Sequence, residues 1–177
     1  MGREDLMERA SQVRLLILDV DGVLTDGRII LDNEGNEFKS FHVRDGHGIK
    51  LLVRNGVEVA IITGRTSRVV ERRAQELGIK EVYQKCYDKV VAYAELKEKF
   101  SLTDREVAYV GDDIVDIPVL KRVGLPVAVS DADSEARRHA LYITEKGGGR
   151  GAVREIAEVI LRAKGVWEKI LDGYNKT

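Results

Sequence analysis

Val13-Arg14-Leu15-Leu16-Ile17-Leu18-Asp19-Val20-Asp21-Gly22 decides the reading of this chain. A run dominated by branched apolar side chains reads as a buried strand, and it stops at an acidic pair followed by glycine. The pattern returns downstream. Val57 to Ile62 ends at Thr63-Gly64-Arg65, and Val107 to Val110 ends at Gly111-Asp112-Asp113. Glu81 to Tyr83, Pro126 to Val129 and Leu141 to Ile143 are shorter runs of the same kind. Between them, apolar residues recur at helical spacing over Gly48–Asn55, Ser67–Leu77, Lys89–Phe100, Ile114–Val123 and Ser134–Ala140. Strands alternating with helices of about ten residues predict an α/β fold, a Rossmann-like parallel sheet with helices on both faces. With the six strands numbered along the chain, the expected order across the sheet is 3-2-1-4-5-6.

One segment breaks the rhythm. Residues 28–43 read as two apolar runs around Asp32-Asn33-Glu34-Gly35-Asn36, the signature of a β-hairpin projecting after the first strand. The glycine cluster Gly147-Gly148-Gly149-Arg150-Gly151 precedes a last amphipathic helix expected over residues 153–170. No linker or repeat divides the 177 residues, so 1–177 reads as one domain.

Composition narrows the function classes. The 29 Lys+Arg and 30 Asp+Glu nearly cancel, so no electrostatic footprint for nucleic acid or an anionic membrane is expected. No apolar run approaches the roughly 20 residues that span a bilayer. Met1-Gly2-Arg3-Glu4-Asp5 is acidic and lacks an apolar stretch, so a secretory signal is not expected. Cys86 is the single cysteine, which fits a reducing compartment. The expectation is a soluble cytoplasmic protein without nucleic-acid or membrane partners.

The chemistry collects at strand ends. In open parallel sheets, ligands sit beyond the carboxyl ends of the strands, where strand order reverses. If the first and fourth strands are neighbours there, Asp19, Asp21 and Asp112 converge. Carboxylates that close repel and raise one another's pKa unless a cation holds them. A few hard oxygen ligands suit Mg²⁺. Each Asp alone reads more readily as a turn or cap residue. Three at successive strand ends point to a site.

The residues that carry this chemistry also resemble a family. Asp19-x-Asp21-Gly22-Val23-Leu24-Thr25, then Thr63-Gly64-Arg65, then Lys89, then Gly111-Asp112-Asp113-x-x-Asp116 are similar, in that order, to the four motifs of the haloacid dehalogenase-like phosphatases. The resemblance implies that Asp19 is a nucleophile forming an aspartyl-phosphate and that Asp21 is the general acid and then base. It implies Mg²⁺ on Asp19, Asp21 and Asp112, and a place for Thr63 and Lys89 against phosphoryl charge. Asp113 and Asp116 would orient Lys89 and the metal's surroundings. Those roles agree with what phosphate ester hydrolysis requires: a covalent intermediate splits a very slow reaction, and a second carboxyl moves the proton. Neither gap between motifs has room for a cap domain.

A finer resemblance covers nearly the whole chain. The first motif, Phe41-His42-Val43-Arg44-Asp45-Gly46-His47-Gly48-Ile49 and Gly148-Gly149-Arg150-Gly151-Ala152-Val153-Arg154-Glu155 are similar to the 3-deoxy-D-manno-octulosonate 8-phosphate phosphatases. That family implies hydrolysis of 3-deoxy-D-manno-octulosonate (KDO) 8-phosphate for lipopolysaccharide, and a homotetramer. It places the sugar acid against Asp21, His42, Val43, Arg44, Asp45, Gly46, Lys50, Arg65, Arg73 and Lys89. Arg150, in the flexible glycine tract, is expected to reach a neighbouring site as a lid. Two alternatives stay open: a phosphatase of a nine-carbon ulosonic acid 9-phosphate, and a non-catalytic phosphoacceptor receiver module.

Overall fold

A computed structural model describes residues 3–175; of the acidic N-terminal stretch, Met1 and Gly2 lie outside the described residues. In chain order the elements are α1 (Arg3–Gln12), β1 (Leu15–Leu18), β2 (Ile30–Leu31), β3 (Glu37–Phe38), α2 (Val43–Arg54) and β4 (Glu58–Ile62). There follow α3 (Arg68–Leu77), β5 (Glu81–Tyr83), α4 (Lys89–Phe100), β6 (Val107–Gly111), α5 (Ile117–Leu120) and β7 (Leu125–Ala128). The chain closes with α6 (Ser134–Arg138), β8 (Tyr142–Ile143), α7 (Ala152–Ala163) and α8 (Trp167–Tyr174).

Six strands form one sheet in the order β5-β4-β1-β6-β7-β8, every pair parallel. With the hairpin strands set aside, this is the expected order. β1 lies between β4 and β6, where the chain reverses its direction across the sheet. All four of its residues are fully buried because both faces are covered. Leu16 and Leu18 pack with Ile49, Leu52, Ile156 and Ile160 on the side of α2 and α7. Leu15 and Ile17 pack with Ala92, Leu96, Val119 and Leu120 on the side of α4 and α5.

Several boundaries differ from the sequence reading. The hairpin is shorter than residues 28–43: only β2 and β3 pair, joined by a turn in which Asp32 Oδ1 accepts from the amides of Glu34 and Asn36. Val43 already belongs to α2, which starts five residues before the expected Gly48 because Gly46 and Gly48 serve close packing instead of breaking the helix. The expected helix over 153–170 is two helices. Gly165 adopts φ +70°, ends α7 and lets α8 start at Trp167. The segment from Ile114 to Val123 is a 3-10 turn followed by the one-turn α5. α1 has no counterpart in the reading, since its buried stripe is only Ala10 with Leu6 partly covered.

Asp45 ties two of these helices together. It is buried on α2, and its Oδ1 accepts from the amide of Arg154 in the first turn of α7 at 2.7 Å. That amide has no partner inside its own helix. Asp45→Ala is expected to cost about 1–2 kcal/mol of stability, as loss of a helix cap does, measured by urea unfolding.

Candidate active site

β1 delivers Asp19 to the carboxyl edge of the sheet, where the Asp19 amide donates to the carbonyl of Val110 on β6 at 3.1 Å. Its side chain is buried, with Oδ1 accepting from the Val20 amide at 2.7 Å and Oδ2 from Lys89 Nζ at 2.8 Å. Burial raises its pKa to about 6 against the pull of the Lys89 charge. Lys89 opens α4, whose N-cap Asp88 accepts from the Val90 amide. Its ammonium also donates to Asp116 Oδ1 at 2.6 Å and lies 3.3 Å from the Tyr109 hydroxyl. Burial by itself pushes the Lys89 pKa down, but Asp19 and Asp116 more than offset it and hold it above the ordinary lysine value.

Asp116 is fully buried and fully satisfied. Oδ1 accepts from Lys89 and from Tyr109 at 2.5 Å, while Oδ2 accepts from the amides of Asp112 at 2.9 Å and Asp113 at 3.2 Å. It therefore orients both Lys89 and the turn that carries Asp112. Asp113 does not: it is exposed, and its Oδ1 accepts from the Ile114 amide at 2.7 Å, capping the 3-10 turn. Among the described residues it forms no hydrogen bond with Lys89, so the part of the expected role that concerns Lys89 falls to Asp116.

Carboxylate oxygens of Asp19, Asp112 and Asp116 lie within 4.8 Å of one another. Asp112 Oδ1 is buried and finds no hydrogen-bond donor among the described residues. Burial, then the charges of Asp19 and Asp116, push its pKa up to about 8. An orphaned carboxylate oxygen among like charges fits a hard divalent cation, which would be held by Asp19 and Asp112. The approach is tight: a Cβ on Gly22, at φ +91°, would lie 2.0 Å from Asp112 Oδ2.

The Asp21 carboxylate is not in that cluster, although the strand-end reading has Asp19, Asp21 and Asp112 converge. The chain leaves the strand at Leu18 and turns, with the amides of Val23 and Leu24 donating to the Val20 carbonyl, so the two-residue alternation of a strand does not carry past Asp19. The Asp21 carboxylate instead pairs through Oδ1 with Lys39 and stands 3.6 Å from Arg65 Nε through Oδ2. Lys39, Glu37 and Ser67 complete this second group: Glu37 accepts from Arg65 Nη2 at 3.2 Å and from the Ser67 hydroxyl. Sequence reasoning missed all three, because a hairpin Lys and Glu two residues apart look like an ordinary charged strand. Thr63 is buried at the end of β4, with its amide donating to the Tyr83 carbonyl at 2.9 Å, beside the end of β1.

The remaining expected contacts form a rim. His42 and Arg150 line one cavity with Asp26, and Val43 and Arg73 line another with Phe41. Arg73 sits 5.6 Å from the Phe41 ring centroid and pairs with Glu76 at 2.8 Å, over Gly46. Arg44 is exposed and Lys50 half-buried on α2, while Asp45 is committed to α7. None of these side chains is hydrogen-bonded or ion-paired to the acidic cluster among the described residues. The glycine tract is pinned rather than free. The Gly149 amide donates to the Val23 carbonyl and the Gly148 amide to Asp131 Oδ1, both at 2.9 Å, so it folds onto its own chain's Gly22–Asp26 loop. A Cβ on Gly148 would lie 1.8 Å from the Gly22 carbonyl oxygen.

Residues 75–156 match the haloacid dehalogenase-like hydrolase family. The 3-deoxy-D-manno-octulosonate 8-phosphate phosphatase KdsC of Escherichia coli strain K12 is 50% identical over 161 residues, which cover 91% of this chain and 86% of that protein. The crystal structure of the phosphatase of that name from Yersinia pestis is similar with TM-score 0.92 and 49% identity, over 93% of this chain and 89% of its own. The Moraxella catarrhalis phosphatase of that name, in complex with magnesium ion, phosphate ion and KDO, is similar with TM-score 0.96 and 39% identity. That match covers 98% of this chain and 99% of the other.

A cation held by Asp19 and Asp112 has a direct thermodynamic signature. Mg²⁺ at about a hundred times its dissociation constant is expected to stabilise the fold by about 2.7 kcal/mol. For a domain of this size that raises Tm by roughly 5–10 °C, and Asp112→Asn should abolish the rise. An unchanged parent Tm in Mg²⁺ would remove the cation site.

Proposed function

The chain belongs to the haloacid dehalogenase-like hydrolases and, within them, to the 3-deoxy-D-manno-octulosonate 8-phosphate phosphatase family, and we propose that it hydrolyses KDO 8-phosphate to KDO and phosphate through an aspartyl-phosphate on Asp19. One observation carries this reading: a buried Asp19 stands between the Lys89 ammonium and an orphaned Asp112 oxygen, at the switch point of the sheet. The substrate assignment is supported by similarity along nearly the full chain to a phosphatase crystallised with magnesium, phosphate and KDO. The receiver alternative is set aside, because the chain is a phosphatase by family and carries both an Asp two residues after Asp19 and the Gly111-Asp112-Asp113 turn, which a receiver lacks.

In the first step an Asp19 oxygen attacks phosphorus, and the bond from phosphorus to the C8 oxygen breaks as Asp21 gives that oxygen a proton. In the second, Asp21 takes a proton from water, whose oxygen attacks phosphorus and releases the Asp19 carboxylate and inorganic phosphate. Lys89, held by Asp116, offsets negative charge on the phosphoryl group, and Thr63 donates to it. Mg²⁺ on Asp19 and Asp112 supplies further charge stabilisation when bound. Arg65, Arg73, Lys50 and Arg150, with residues 42–46, are assigned to the sugar acid, since a carboxylate suits a guanidinium fork.

The hairpin supports an assembly. Ile29, Ile30, Leu31 and Phe38 are each between 45% and 58% exposed, and a two-stranded ribbon has open edges on both sides. Pairing of hairpins in a homotetramer covers those faces. No described helix is long and apolar enough to cross a membrane, and Cys86 is a free thiol. Both accord with a cytoplasmic enzyme that supplies KDO for lipopolysaccharide precursors.

Two measurements test this function. Phosphate release from KDO 8-phosphate should exceed that from a nine-carbon ulosonic acid 9-phosphate by about tenfold or more in kcat/KM, and Asp19→Asn should fall below about a thousandth of the parent. Preference for the nine-carbon substrate would move the chain to that alternative, and appreciable turnover by Asp19→Asn would end the nucleophile assignment. In sedimentation velocity the parent should run as a tetramer and Phe38→Asp as smaller species, because a buried charge has no partner there.

A further inference from the structure

Lys39 takes no part in the steps above, yet its side chain is 1% exposed although it rises from the hairpin. A lysine stripped of water is held there by what it touches. Its ammonium pairs with Asp21 Oδ1 and lies 3.3 Å from Glu37 Oε1. Glu37 is fixed from the far side by Arg65 Nη2 at 3.2 Å and by the Ser67 hydroxyl. Two cations and two carboxylates balance, and Ser67, the N-cap of α3, anchors the group to a rigid element.

We propose that Lys39 is a positioning residue for Asp21: it clamps Oδ1 and leaves Oδ2 presented for proton exchange. The proposal rests on the acid–base role of Asp21 given above. Among the described residues Oδ2 has only the loose 3.6 Å approach of Arg65 Nε, longer than a hydrogen bond, so it is the oxygen open to a leaving group or water. Asp21 itself lies on the turn after β1, outside any helix or strand, so its carboxylate is held by the ion pairs it makes with Lys39 and Arg65. Proton transfer needs heavy atoms within about 2.6–3.2 Å, so a rotamer change moves the acid out of reach. Glu37, Arg65 and Ser67 brace the clamp, which links the pose of the hairpin to the placement of the acid.

Kinetics on phenyl phosphate and 4-nitrophenyl phosphate test the proposal. The two esters are close in shape and lack the sugar carboxylate, but phenolate needs a proton from the enzyme far more than nitrophenolate does. Lys39→Met is expected to lower kcat/KM for phenyl phosphate by about tenfold more than for 4-nitrophenyl phosphate, with Lys39→Arg recovering most of the difference. Glu37→Gln should show the same selectivity in weaker form, and it carries the comparison if Lys39→Met fails to fold. Asp21→Asn separates the two claims. Equal losses on both esters in Asp21→Asn would remove the acid role itself. Selectivity in Asp21→Asn with equal losses in Lys39→Met, or losses confined to KDO 8-phosphate, would overturn the positioning role.

Discussion

The Lys89 ammonium, enclosed by Asp19, Asp116 and Tyr109, is the interaction on which the rest of the site depends. Three carboxyl groups from the end of β1 and the turn after β6 meet in a volume largely closed to water, where burial and the charges of Asp19 and Asp116 raise the proton affinity of Asp112. A single lysine inserted from α4 makes that meeting tolerable for two of them. Breaking such a buried arrangement by removing one partner generally costs about 3–5 kcal/mol, because the charges left behind have no solvent to turn to. Asp112 is left unmatched, and its free oxygen is what makes the arrangement a cation site and not merely a buried ion pair.

The site thus has two halves of different character. Asp19, Thr63, Lys89, Asp112 and Asp116 stand at the ends of buried strands or on the elements directly after them, and Asp19, Lys89 and Asp116 are hydrogen-bonded within the protein. Asp21, Lys39, Glu37 and Arg65 belong to the turn, the hairpin and a loop, and are joined to one another by ion pairs around the buried Lys39 ammonium. The first half suits the fixed demands of holding a phosphoryl group and metal in line. The second suits a proton that must move twice in opposite directions. The glycine tract spans both, lying on the Gly22–Asp26 loop so closely that neither Gly148 nor Gly149 has room for a side chain.

Some of this was legible in the residues and some was not. β1, β4 and β6 were readable because strands buried on both faces are nearly continuously apolar, and theirs are the longest such runs that end in acidic or Thr-Gly turns. Lys89 stood at the expected place because its motif precedes a helix with a clear start signal, Asp88. The split of the last helix at Gly165 was missed because an apolar stripe resumes in register after it, with Trp167 returning to the same core as Ile160. The early start of α2 was hidden by two glycines whose reason is contact with Arg73 and α7, residues far away in sequence.

What the sequence by itself determined is therefore the sheet, its order and the meeting of Asp19 with Asp112, because hydrophobic periodicity and right-handed crossovers leave few ways to place strand ends, while the family resemblance added Lys89 and Asp116. Only the tertiary structure decided how the carboxylates divide. Asp21 lies two residues from Asp19, and strand alternation would aim both at one cation; the turn after Leu18 aims Asp21 at Lys39 and Arg65 instead. It also decided that Asp113 caps a turn while Asp116 braces the lysine, and that a hairpin Lys–Glu pair belongs to the site. Those outcomes depend on backbone direction beyond the ends of regular elements, where no period constrains the chain and contacts between residues distant in sequence set the conformation.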